Sequence, residues 1–161
     1  MEEGLNMSHT SHTRKAFTII ELIFVIVIIG ILSAIAVPRL SSTVTKAHNT
    51  KAATTLASVR SALSTERQKR ILRGTFTPVS DLGEGVYAFS YFDGNTSASR
   101  VLQYPVKNCA SNTDKACWDR DSAVSPKTFT YRFPETGDAS FKLENNNLLC
   151  NDTAADCAKL E

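Results

Sequence analysis

The chain has no histidine beyond His48 and no cysteine before Cys109. A Ser-His-Asp or Cys-His arrangement therefore has no base placed near a nucleophile in the C-terminal half. A glycine-rich phosphate loop and the HExxH zinc signature are also missing, so the sequence reads as non-enzymatic. His9 and His12 have H-x-x-H spacing, but both fall in a segment that reads below as a discarded leader. Charge is absent too: residues 17–37 (FTIIELIFVIVIIGILSAIAV) carry none except Glu21. A charge inside a bilayer span costs on the order of 2.5–3.5 kcal/mol by insertion scales, so a lone carboxylate there has a functional reason. It lies one helical turn into the run, so whatever uses it uses the N-terminal end of that helix.

What is present divides the 161 residues by charge. Residues 39–73 hold eight Lys/Arg against Glu66 alone, a local net of +7, and residues 74–161 carry a net of −4. A basic stalk thus precedes an acidic head. The four cysteines, Cys109, Cys117, Cys150 and Cys157, all lie in the head. An even number in an exported domain suggests two disulfides. Of the three connectivities, Cys109–Cys117 with Cys150–Cys157 is favoured because short loops close easily, and the nested pairing stays open. Zinc is disfavoured, because four-cysteine sites use tighter spacing than the gaps of seven and six residues found here. At 1.5 Å per residue the apolar run spans about 31 Å as a helix, the thickness of a hydrocarbon core. A secretory signal is the rival reading, with Ser33, Ala34 and Ala36 as small residues, but its apolar part is shorter, about 7–15 residues. Arg14 and Lys15 bias the N-terminus toward the cytoplasm, and the cysteines place the head outside.

The run Lys15-Ala16-Phe17-Thr18-Ile19-Ile20-Glu21-Leu22 and the apolar stretch behind it resemble the prepilin signal of type IV pilins and type II secretion pseudopilins. Ala16 stands where that family usually has glycine. The resemblance implies cleavage between Ala16 and Phe17 by a prepilin peptidase, then N-methylation of Phe17. It also implies that Glu21 pairs with the liberated amine, its own or a neighbour's, during filament assembly. A buried carboxylate is costly alone and much less costly beside a cation. Gly30 and Pro38 mark where such helices kink or lose helicity in the filament. Met7 offers a second start, leaving a shorter basic leader. Some major pseudopilins resembling this chain bind calcium near the C-terminus, which makes Asp152 and Asp156 weak candidates; no EF-hand spacing is present. Otherwise no cofactor is expected.

Beyond Pro38 the pattern stays helical. Leu40, Val44, Ala47, Ala52, Leu56, Val59 and Leu63 recur at mostly three- and four-residue steps, an apolar stripe suited to packing on the head. Gly74 is a natural stop, with Arg67, Lys69, Arg70 and Arg73 in the last turns. Residues 86–92 read as a strand and residues 97–102 as a short helix. Residues 128–133, 139–143 and 148–150 read as a three-stranded antiparallel meander whose aromatic face covers the stripe. Trp118 reads as packing. The expected layout is a leader at 1–16, a transmembrane and assembly helix at 17–38, an amphipathic helical stalk at 39–73 and a disulfide-bonded head at 74–161. The fold class is α+β, a long N-terminal helix packed on a small antiparallel sheet.

The expected function is a structural subunit of a type IV pilus-like or type II secretion pseudopilus filament. The expected partners are further copies, related pilin subunits, the inner membrane, the prepilin peptidase, and an assembly platform with its ATPase. The place is the inner membrane of a Gram-negative bacterium, single-pass with the head periplasmic, then the periplasm or a surface filament. The alternatives are a minor or competence pseudopilin in DNA uptake, and a membrane-anchored binding module that never polymerises. The basic stalk suits phosphate contact, but packing against acidic heads of neighbours uses it better than direct nucleic-acid binding does.

Overall fold

The structure, a computed structural model, describes residues 17–123, 127–151 and 154–161, the side chains of 154 and 155 excepted. The chain divides into two compact units at Ser41–Ser42. Helix α1, Ile19–Leu72, contributes to both. The sheet strands are β1 (Cys117–Asp121), β2 (Thr128–Arg132), β3 (Asp138–Glu144) and β4 (Asn147–Cys150), and a short helix, α2, covers Ala154–Cys157.

In the first unit the helix starts at a cap. The Glu21 amide donates to Thr18 Oγ1 at 3.3 Å, and the amides of Glu21 and Leu22 donate to the Thr18 carbonyl. Thr18-x-x-Glu21 is the spacing of a capping box, which satisfies amides that the first turn leaves over. The apolar side chains of this unit's helix are exposed, and α1 is long and apolar enough to cross a membrane. The helix continues through Pro38, which lacks an amide hydrogen, so that turn lacks one backbone bond.

In the second unit α1 buries Ala52, Leu56, Val59, Leu63 and Glu66. Their steps of four, three, four and three keep them on one stripe. The sheet is fully antiparallel in the order β1-β2-β3-β4. Alternation places Phe129, Tyr131, Ala139, Phe141, Leu143 and Leu148 inward, all at 5% exposure or less. Each large side chain so buried stabilises the fold by about 1.5–3 kcal/mol relative to exposure. Phe89 stacks on Phe129 at 5.1 Å and meets Trp118 edge-on at the same distance. The tight β3–β4 turn uses Asn145 and Asn146, both at positive φ, the pattern of a type I′ hairpin.

The end of α1 falls at Gly74 for a visible reason. Gly74 has φ +74°, its amide donates to the Ile71 carbonyl at 2.9 Å, and the Thr75 amide donates to Arg70 at 2.8 Å. That is a Schellman closure, and it needs a left-handed residue at this position.

Five expectations are corrected. The helix begins at Ile19, not Phe17. Residues 86–92 form no strand: isolated bridges join Tyr87 to Lys107 and Tyr91 to Arg100, and a 3-10 turn takes Phe92–Gly94. Asp93 and Gly94, both at positive φ, end any extended run there. Residues 97–102 hold no helix; Tyr91 bridges to Arg100 across them. The sheet has a fourth strand, β1, and the stripe residues Leu40, Val44 and Ala47 are exposed rather than packed.

A candidate assembly site and the head that carries it

Phe17 and Thr18 precede the first helical turn, and Glu21 is its third residue. Because Phe17 lies outside the helix, the four-residue spacing does not place it over Glu21 in the uncut chain. Among the described residues the Glu21 carboxylate has no ion-pair or hydrogen-bond partner, and Ile20, Ile23, Phe24 and Val27 flank it. An unpartnered acid on an apolar helix is costly in lipid and suited to pairing with a cation supplied from outside. Thr18 is a contributor that the sequence reading passed over, although the T-x-x-E spacing before an apolar run signals it.

A Cβ built on Gly30 meets nothing within 4 Å, so packing within this chain gives no reason for glycine there. Pro38 lies inside α1. Ala16, His9 and His12 lie outside the described residues.

The head rests on buried charge as well as on aromatic packing. Arg70 pairs with Glu66 one turn earlier at 3.2 Å and with Asp93 across the chain. Asp93 Oδ1 also accepts from the Ser80 amide at 2.8 Å and from the Ser80 hydroxyl at 3.1 Å. Burial opposes both charges, but these hydrogen bonds and the mutual attraction outweigh it. Arg70 is held above its ordinary value and Asp93 below the usual carboxylate range. Burial pushes the Tyr131 phenol up, and its hydroxyl donates to the His48 carbonyl at 3.2 Å. Arg120 faces Asp81 at 3.6 Å beside Gly83, where a Cβ would overlap the carbonyls of Tyr87 and Ala88.

Disulfides join Cys109 to Cys117 and Cys150 to Cys157, with Cα atoms 5.5 and 6.2 Å apart. Trp118 is packed among Phe89, Tyr131 and Phe141. Of the calcium candidates, Asp152 lies outside the described residues, and Asp156 Oδ1 accepts from Lys159 at 3.1 Å. The acids of residues 114–121 cap turns or pair: Asp114 accepts the Ala110 and Ser111 amides, and Asp119 holds Arg132 at 2.6 Å. Among the described residues no three His, Cys, Asp or Glu side chains cluster to hold a metal.

The family described as the prokaryotic N-terminal methylation motif matches residues 11–37, the segment holding Phe17, Thr18 and Glu21. The chain carries this N-terminal methylation motif. It is similar to a fimbrial protein of Moraxella nonliquefaciens, 42% identical over 57 residues, covering 35% of this chain and 37% of that protein. It is also similar to the type IV narrow pilus major component PilA5 of Thermus thermophilus, 56% identical over 48 residues, covering 30% of this chain and 41% of the relative. The chain thus spans about 40% of the length of these relatives. No solved structure matches it. The long helix with a small antiparallel sheet is the α+β arrangement expected of a pilin-type chain.

Proposed function

We propose that the chain is a structural, non-enzymatic subunit of a type IV pilus-like filament. The observation that carries this is an unpartnered Glu21 in the first turn of an exposed apolar helix, inside the matched methylation motif. A prepilin peptidase would cut between Ala16 and Phe17 and so turn the Phe17 amide nitrogen into an ammonium. That group, then methylated, is the cation that Glu21 of a neighbouring copy takes. Pairing within the membrane removes most of the cost of the isolated acid, so lipid itself biases the subunit toward assembly.

The rest of the assignment follows from that step. The subunit is made as a single-pass inner-membrane precursor with its head on the periplasmic side. An assembly platform and its ATPase then draw the apolar helices into a filament. Both relatives carry pilus or fimbrial names, which favours a surface pilus over a secretion pseudopilus.

Mass spectrometry of the mature chain tests the reading. A first residue of methylated Phe17 is expected, and a chain retaining residues 1–16 would overturn it. Glu21→Ala should insert normally while filament yield falls about tenfold or more; a normal yield would remove the role given to the carboxylate.

A further inference from the structure

Once the head's own ion pairs are assigned, unmatched charges of opposite sign remain at separate places. Asp81, Asp93, Asp119, Asp138, Glu144 and Glu161 are each paired with a cation. Among the described residues, Glu84 and Glu135 are exposed head carboxylates with neither an ion pair nor a hydrogen bond. Both sit on turns. Glu84 is bridged to Tyr87 around Gly85, and Val86 beside it is 57% exposed. Glu135 follows Pro134 in the β2–β3 connection.

The unmatched cations include Lys51 on α1 and Lys107 in the loop before β1, both exposed and without a partner among the described residues. They border one cleft of about 450 Å³, which His48, Tyr104, Trp118 and Tyr131 also line. Trp118 is only 3% exposed, and its Nε1–H has no acceptor among the described residues. A buried donor without an acceptor is unusual. Tyr104, by contrast, is 83% exposed at the rim. The wall therefore combines two ammonium groups, an imidazole and aromatic surface. Such a wall fits a carboxylate on an apolar stem.

We propose that this cleft receives an acidic turn of a second copy of the chain, bearing Glu84 or Glu135. The inference rests on the filament reading above and names one head contact within it. Cleft and turn are different patches of one surface, so the contact is heterologous; repeated, it generates an open filament rather than a closed pair.

Filaments assembled from a mixture of ¹⁴N- and ¹⁵N-labelled full-length chain, treated with a water-soluble carbodiimide, provide the test. The reagent joins a lysine amine to a carboxylate only in direct contact, with loss of water. Mass spectrometry should find mixed-isotope peptides joining Lys51 or Lys107 to Glu84 or Glu135. Lys51→Glu with Lys107→Glu should lower filament yield about tenfold, and adding Glu84→Lys and Glu135→Lys should restore much of it. Filaments that form but lack these inter-copy links overturn the inference alone. Normal assembly of Lys51→Ala/Lys107→Ala with weaker retention of double-stranded DNA overturns it in favour of a nucleic-acid contact. Failure to form filaments at all overturns the filament reading and this inference together.

Discussion

Asp93 shows how much one side chain can hold. Its backbone sits at φ 58°, a conformation that non-glycine residues adopt at a cost, and its carboxylate joins Arg70 to Ser80. Its pKa is lowered in the fold. The stability it contributes is therefore complete above its unfolded value, near 4, and is lost as pH falls through the lower folded value. Since Asp93 is about one-third exposed, solvent screens part of this, and we expect Asp93→Asn to lose about 1 kcal/mol at pH 7. Thermal unfolding at pH 7 and pH 3 checks it: the variant should show a smaller loss on acidification than the wild type. Glu66 belongs to the same network. It was visible in the sequence as the one acid of a basic stalk, but its burial was not, because its partner Arg70 bridges to a residue 23 positions on. Thr18 was legible through its T-x-x-E spacing.

At the scale of elements, α1 was read from periodicity and its stop from Gly74, since both depend on neighbours within a few residues. Strand β1 was hidden. Its sequence, CWDRD, has one apolar residue pointing inward, and its Asp119 and Arg120 face Arg132 and Asp81 from elsewhere in the chain. The alternation that reveals β2 and β3 is therefore masked by long-range pairing. Gly30 raises the opposite question, because nothing around it requires glycine. Alanine favours a helix interior by about 1 kcal/mol over glycine. We expect Gly30→Ala to leave membrane insertion and head stability unchanged while lowering filament yield. Insertion assays and filament yield measured side by side decide it, and unchanged yield would remove assembly as the reason for the glycine.

At the scale of the molecule, the second unit is a small head whose helix stripe and sheet share one core, closed at its margins by two disulfides. Short loops of this size contribute about 2 kcal/mol each by restricting the unfolded chain. Net stabilities are typically about 5–15 kcal/mol, so losing both matters. The Cys150–Cys157 bond also secures the tail, where Leu160 is buried and Glu161 pairs with Arg60 at 2.7 Å. Replacing Cys150 and Cys157 with serine should lower the thermal midpoint by several degrees and expose Leu160 to proteolysis. Limited proteolysis and thermal unfolding with and without reductant would show it, and an unchanged midpoint would mean the tail holds without the bond.

The sequence by itself determined the apolar helix with its single acid, the glycine after it and the alternating aromatic strands. Each is written in residues a few positions apart, where backbone geometry alone sets which side chains share a face. Only the tertiary structure decided which part of the stripe is covered, where β1 pairs, why Glu66 and Arg70 tolerate burial, and which charges are left without partners. Those outcomes depend on groups tens of residues apart being brought within a few ångströms, and desolvation and pairing act only at that range.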